Sequence, residues 1–136
     1  MANSIANFCA RQEALSFVRK ITLAEFLAAS TANTLKIALP VNAIITSGSV
    51  TVLTASVVTG SDLLDVGYTG SLEAYKADIS LEAAARTALV PTGYTHLATT
   101  SDLILTRTPA AADATSLEIL VEFTYVVLGR VECTQD

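Results

Sequence analysis

The chain contains few charged side chains, and its basic residues are too scattered to form a cluster. Lys and Arg together number eight against 13 Asp and Glu, which gives a formal net charge of −5 over 136 residues. Proteins that bind nucleic acid through its phosphates need clustered Lys or Arg. The sequence therefore predicts that nucleic acid is not a partner of this protein.

The sequence also lacks a long apolar run, although 51% of its residues are hydrophobic. Ser, Thr, Asn, Pro and Gly interrupt each apolar stretch before it reaches the roughly 18 residues that a membrane-spanning helix needs. The N-terminus shows neither the basic start nor the apolar segment of a secretion signal. We therefore expect a protein that is made in a cytoplasm and has no membrane partner.

Cysteine is scarce, and the two cysteines, Cys9 and Cys133, stand near opposite ends of the chain. Two cysteines in a cytoplasmic protein are more often free thiols than a bridge. Free thiols are therefore the favoured interpretation, and a disulfide that joins the two termini is the alternative.

The residue types that carry chemistry do not form a recognisable motif. His96 is the single histidine and has no Cys or His at ligand spacing, which argues against a metal site. Asp62 and Asp65 lack the spacing of a calcium loop, and Glu118 and Glu122 share one strand face, as in a solvated stripe. Nucleophile and phosphate-binding motifs are missing as well. The sequence therefore predicts no enzyme, no cofactor and no metal.

What the chain does contain is small apolar and hydroxyl residues, with 22 Ala and 18 Thr but no Trp. Apolar and polar residues alternate in short segments separated by turn residues, which is typical of an antiparallel sheet protein. Seven or eight strands are predicted, enough for a sandwich or a barrel. The clearest segments are residues 15–22, 35–39, 62–66, 75–79, 102–106 and 117–128. The stretch from Ile44 to Val52 adds one strand, or two short strands bent at Gly48.

Two short helical turns are predicted at corners between strands. Thr22 and Glu25 have capping-box spacing, and Ser80 precedes an alanine-rich run at residues 81–86. The first residues show no clear period. The predicted organisation is a flexible N-terminal arm at 1–14, one β-sandwich domain at 15–130 and a C-terminal tail at 131–136.

Between Lys36 and Asp62 the sequence contains no charged residue. Alternation there predicts a strand with Ile44, Val50 and Val52 on its inner face and Ser47, Ser49 and Thr51 on its outer face. Such an uncharged strand is an aggregation hazard unless another element or subunit covers it. The apolar residues that this pattern leaves without a place in the core are predicted to form an oligomer interface: Leu53, Val57 and Val58, with Leu120, Val126 and Leu128 on the second face of the last strand.

The order of several short motifs resembles that of small virion structural proteins of tailed bacteriophages. The motifs are an LPxxAxI-type turn at residues 37–45, an LxVG-type segment at 63–67, the segments 75–79 and 89–93, and a final strand at 121–130 that closes on Gly129 and Arg130. The likeness covers residues 35–130. One departure is that the loop between Thr59 and Asp62 is not glycine-rich.

Members of this kind are similar to capsid decoration (cement) proteins, which are jelly-roll domains that form trimers on the outside of the head. The resemblance therefore implies an antiparallel jelly-roll β-sandwich, a homotrimer, and a location on the capsid surface with the major capsid protein as partner. The N-terminal arm is a further candidate for the capsid contact, through Ala2, Asn3, Ser4, Ile5 and Phe8.

Two other functions stay open from the sequence. A head-to-tail connector or a tail component would share the β-rich composition but would form a ring or a stack. A carbohydrate-binding jelly roll would need exposed aromatic rings, for which Tyr68, Tyr75 and Tyr94 are the candidates.

Overall fold

The computed structural model of this protein describes residues 14–56, 60–97, 102–110 and 114–128. Several sequence predictions fall on other parts of the chain and lie outside the described residues. They concern the arm contacts Ala2, Asn3, Ser4, Ile5 and Phe8, the cysteines Cys9 and Cys133, the interface residues Val57 and Val58, and the C-terminal tail.

Eight strands and one short helix make up the described chain. In chain order they are β1 (Leu15–Thr22), α1 (Leu23–Ala28), β2 (Thr34–Ala38), β3 (Ala43–Thr54), β4 (Leu63–Tyr68), β5 (Ser71–Ser80), β6 (Arg86–Ala88), β7 (Asp102–Thr108) and β8 (Glu118–Val127). The alternation that predicted β1 matches its bounds, and the segment around Gly48 forms one long strand.

The strands form two antiparallel four-stranded sheets, with the orders β1-β8-β3-β6 and β2-β7-β4-β5. The first strand pairs with the eighth, the second with the seventh, the third with the sixth and the fourth with the fifth. This nested pairing arises when one long antiparallel hairpin wraps into two layers, which is the eight-stranded jelly roll with its two Greek keys. The predicted jelly-roll β-sandwich is confirmed.

The core lies between the inner faces of the two sheets. On β8 the odd-numbered residues Ile119, Val121 and Phe123 are buried, as the alternation in the sequence predicts. The first sheet also contributes Ile21, Ile45, Val50 and Val52, and the second contributes Ile37, Leu64, Val66, Tyr75, Ile79, Leu103 and Leu105. Aliphatic and β-branched residues make up most of this core, together with the aromatic rings of Phe26, Tyr75 and Phe123.

One inner-face prediction for β3 is wrong. Val50 and Val52 are buried as expected, but Ile44 pairs with Val126 on the outer face and Ile45 takes the core position. The reason is a register shift between Ile45 and Ser47, where one extra residue moves the following side chains to the opposite face.

The second helical turn is also absent from the fold. Residues 81–85 run as a bend, and Arg86–Ala88 form the short strand β6 against β3. The amide nitrogen of Val52 donates to the carbonyl of Ala85 at 2.8 Å, so pairing with the sheet overrides the helix propensity of alanine.

The first helical turn is present as α1, which begins after Thr22. The Glu25 carboxylate accepts a hydrogen bond from the Thr22 backbone nitrogen at 2.9 Å, as the capping-box spacing predicts. That bond, assisted by the neighbouring Arg19 guanidinium, lowers the pKa of Glu25 below its usual value. The turn buries Phe26 against the core.

Candidate interaction surfaces

The residues predicted to form an oligomer interface do not lie at one place. Leu120 and Val126 are half-buried on the outer face of β8, paired across to Thr51 and Ile44 of β3. They are six positions apart on one strand, which separates them by roughly 20 Å at about 3.3 Å per residue. The outer face of the first sheet therefore carries two separate apolar positions.

Leu53 lies beside Leu120 and Leu128 lies beside Val126, so that the two apolar positions continue toward opposite ends of the sheet. Leu53 stands at an irregularity of β3 near Leu120, and 46% of its surface is exposed. Leu128 follows the end of β8 beyond Val126 and is 45% exposed. The structure thus sorts the described interface candidates into one pair near each end of the sandwich.

Between the two pairs, the outer face of the first sheet forms a groove of about 440 Å³, in which polar side chains lie beside apolar ones. Ser49 donates a hydrogen bond from Oγ to Glu122 Oε1 at 2.8 Å, and Arg86 Nε lies 3.9 Å from the same oxygen. Val18, 62% exposed, and Pro91 stand on the groove wall. Glu122 is therefore held by its neighbours, while Glu118 pairs with Lys20 at 3.3 Å.

A buried ion pair occupies the end of the sandwich that contains the β3–β4 connection. Arg107 donates to Asp62 through Nε at 2.8 Å and through Nη2 at 2.6 Å, and both residues are almost fully buried. Ser56 Oγ donates to the same carboxylate at 2.6 Å, and Arg107 Nη1 donates to Asn33 Oδ1 at 2.9 Å. We call this group the Arg107 network, and its end of the molecule the arginine end.

Asp65, the other acid of that sequence motif, lies on β4 and serves a different purpose. Its Oδ1 accepts a hydrogen bond from the backbone nitrogen of Asp78 at 2.8 Å, where the chain has a positive φ of 52°. A non-glycine residue in that conformation is strained, and the bond helps to hold it. The two acids therefore make separate contacts within the fold.

Four aromatic rings meet at the opposite end of the sandwich. Tyr75 and His96 are buried, with the Tyr75 hydroxyl 2.8 Å from His96 Nε2 in a hydrogen bond. Tyr68 and Tyr94 stack face to face, their centroids 3.7 Å apart, and both meet the His96 ring edge-on. Burial raises the pKa of Tyr75 to about 12. We call this group the tyrosine cluster, and its end the tyrosine end.

The tyrosine cluster bears on the carbohydrate-binding alternative. A sugar platform needs an open ring face, and the mutual stacking of Tyr68 and Tyr94 covers one face of each ring. Tyr75 is 1% exposed and faces the core. The cluster thus works mainly as packing, and the alternative stays a prediction.

The tyrosine end also exposes large aliphatic side chains that the sequence reading did not single out. Val41 is 48% exposed, Leu72 46% and Leu97 53%, in addition to Leu128. In the sequence each of them stands in or next to a turn, and Val41 and Leu97 have no charged residue beside them, which is the signal that marks these two positions. Exposed apolar residues grouped in this way mark interaction surfaces.

Within the described ranges there is no group of three or more His, Cys, Asp or Glu that could hold a metal ion. In the same part of the chain, no helix is long and apolar enough to span a membrane.

Similar proteins were found among solved structures. No family model matches the chain, and no curated protein does. One similar chain belongs to the capsid asymmetric unit of cyanophage Pam1, with a TM-score of 0.66 and 16% identity over 93% of this chain and 97% of that chain. Another belongs to the acid-stable capsid of Helicobacter pylori bacteriophage KHP30, with a TM-score of 0.56 and 13% identity over 85% and 93%. At these identities the likeness is one of fold, and this chain has the fold of chains found in two phage capsid structures.

Proposed function

We propose that this protein is a structural component of a tailed-phage virion, and that it decorates the outside of the head as a cement protein. The observation that carries the proposal is the match with the Pam1 capsid chain, which extends over nearly the full length of both chains. The matched Pam1 chain is therefore about as short as this one, and the likeness extends over almost the whole of it. A fold alone does not define a function, so the surfaces must supply the rest.

The surface of the molecule supports a role in assembly. A mean hydropathy of +0.52 is high for a soluble domain of this size, and eight large hydrophobic residues are more than 40% exposed among the described residues. The acids and bases in the interior are bound to one another in the Arg107 network. A cement protein uses such a surface to bury area between neighbouring shell subunits, and an oligomer multiplies each weak contact.

In this proposal the protein is made in the host cytoplasm and forms a homotrimer that bridges subunits of the major capsid protein. The pair Val126 and Leu128 and the pair Leu53 and Leu120 are the candidates for trimer contacts. An interface of standard size buries about 1,600 Å² in total, so either pair would need polar neighbours to complete it.

Heads produced without the gene for this chain provide the direct test. Purified protein is added back, bound protein is separated by sedimentation, and the temperature at which the heads release their DNA is recorded. We expect saturable binding and a higher release temperature. Bound protein at the tail vertex alone, or rings and stacks in electron micrographs of the free protein, would favour the connector or tail alternative.

The trimer is tested separately by light scattering. We expect the mass of three chains at micromolar concentration, and a smaller mass for Val126→Asp or Leu120→Asp. Leu27→Asp is the matched control, since Leu27 is 60% exposed on α1 and belongs to neither pair. A monomeric wild-type protein would refute the trimer.

A further inference from the structure

The two ends of the sandwich differ in charge. The tyrosine end includes the segments 39–42, 68–72, 89–97 and 126–128, which contain no Asp, Glu, Lys or Arg. Among the described residues, Asp102 at the start of β7 and Glu73 on β5 are the charged residues that border these segments. The arginine end carries Glu25 on α1, Glu82 in the β5–β6 connection and Glu118 at the start of β8, besides the buried Asp62. Interface cores are depleted of charged residues relative to the rest of a protein surface. The tyrosine end therefore has the composition of a contact surface.

The exposed side chains at the tyrosine end rest on a firmly bonded backbone. The Asn42 nitrogen donates to the His96 carbonyl at 2.7 Å, and the Leu128 nitrogen donates to the Asn42 carbonyl at 3.0 Å. These two bonds join three separate chain segments below Val41 and Leu128. A surface that is ordered before binding loses little conformational entropy when a partner covers it.

The size of this end limits what it can hold by itself. Four strands about 4.8 Å apart and two layers about 10 Å apart give an end face of roughly 20 Å by 20 Å, or about 400 Å². A stable complex of two proteins needs about 800 Å² from each partner. The end face is thus too small for a lasting dimer of two free copies, but it suits a surface on which several linked copies bind together.

Both chain ends leave the sandwich at the same place. β1 begins at Leu15 opposite Tyr125, and β8 ends at Val127, so the 13 residues before Ala14 and the eight after Leu128 are attached at the tyrosine end. The arm that the sequence analysis predicts to contact the capsid starts there. The end face that is too small for a stable interface by itself is thus also the end to which both terminal segments are attached.

We infer that the tyrosine end is the face that docks on the shell, against an apolar, uncharged patch on the outer surface of the major capsid protein. The inference rests on the proposed cement function and specifies the partner's chemistry and the orientation of the molecule. In this orientation the arginine end points away from the head and Leu128 faces the shell. Of the two candidate pairs for the trimer contact, Leu53 and Leu120 on the outer face of the first sheet then remain accessible for contacts between copies.

Binding of variants to heads made without the gene tests this orientation. Leu72→Asp and Val41→Asp each place a charge in the proposed contact, and we expect each to weaken binding by roughly 10- to 100-fold, as for an apolar side chain that loses its burial. Leu27→Asp introduces the same charge at the arginine end and should bind as the wild type does. Circular dichroism and light scattering should show all three variants folded and with unchanged mass.

Hydrogen exchange on head-bound wild-type protein gives a second readout that needs no substitution. We expect amides of residues 89–97 to exchange more slowly on the head than in solution, and those of residues 81–85 to be unaffected. Equal binding of the Leu72, Val41 and Leu27 variants would overturn the inference while leaving the cement function intact. So would a loss of oligomer mass in the Leu72 or Val41 variant, because the end would then join copies of this chain. If the wild type itself does not bind heads, the proposed function fails and the inference fails with it.

Discussion

Replacing Arg107 with methionine is the sharpest test of how the arginine end is held together. Methionine fills similar space without charge, so Asp62 would remain buried with its Ser56 hydrogen bond but without a counter-ion. The guanidinium now makes two bonds to the carboxylate, at 2.8 and 2.6 Å, and a third to Asn33 at 2.9 Å. Breaking a buried pair by removal of one partner destabilises a protein by about 3–5 kcal/mol.

The expected change in melting temperature follows from the size of the chain. At about 2.1 cal/mol/K per residue, a chain of 136 residues has an unfolding entropy near 0.29 kcal/mol/K, so each kcal/mol lowers the melting temperature by about 3–4 °C. Arg107→Met should therefore lower it by about 10–18 °C. Circular dichroism and urea titration at one fixed protein concentration measure the effect, since the chain has no tryptophan for fluorescence.

Two further variants separate the ion pair from the loss of packing. The double variant Asp62→Asn with Arg107→Met removes both charges together and should regain more than half of the lost stability. Arg86→Met breaks a pair at 3.9 Å whose arginine side chain is 62% exposed, and we expect less than about 1 kcal/mol from it. The account of the Arg107 network is wrong if Arg107→Met lowers the free energy of unfolding no more than Arg86→Met does. It is also wrong if the double variant is as unstable as Arg107→Met alone.

The remaining predictions concern stability at three other sites. Because the pKa of Tyr75 is raised to about 12, the native state keeps a proton that the unfolded chain releases above pH 10. The free energy of unfolding should therefore fall by about 2–3 kcal/mol between pH 10 and about 12. Tyr75→Phe should remove that part of the pH dependence. Glu25→Ala should cost about 1 kcal/mol at neutral pH, and the difference should vanish as the pH falls through the lowered pKa of Glu25, since the charged carboxylate caps the helix. Gly67→Ala would place a methyl group 2.2 Å from the Ser71 carbonyl oxygen and should cost about 3 kcal/mol, while Gly70→Ala, with open space but a φ of 101°, should cost about 1 kcal/mol. Urea titrations across the relevant pH range check all three, and a flat stability difference with pH would contradict the first two.

The sequence predicted the jelly roll because alternation survives wherever a strand has one face in the core. On β8, Ile119, Val121 and Phe123 follow the pleat without interruption, and the match between pattern and structure is complete there. On β3 the pattern fails at the bulge near Thr46. In an uncharged stretch of small residues, the order of residue types does not reveal where an extra residue interrupts the alternation. Local pattern thus predicted the sheets but could not predict the face on which Ile44 lies.

Contacts between distant segments could not be predicted from the sequence, for a different reason. Asp62 and Arg107 are 45 positions apart, and their pairing depends on the antiparallel registry of β4 with β7. Tyr75 and His96 similarly meet through the fold of the β6–β7 connection. A sequence shows which polar residues are scarce, but it does not show which of them the topology will bring together.

The contrast between the two ends suggests how one fold can serve both stability and assembly. At the arginine end, Arg107 binds Asp62 and Asn33 in the interior, so the polar groups there are already occupied and the connections are free to carry solvated charges. At the tyrosine end, the polar partners Tyr75 and His96 lie below the surface, and aliphatic groups such as Leu72 face outward. In the proposed cement role this division is useful, because burial of the apolar tyrosine end against the shell would supply the free energy of attachment. The charged end then keeps the assembled surface soluble.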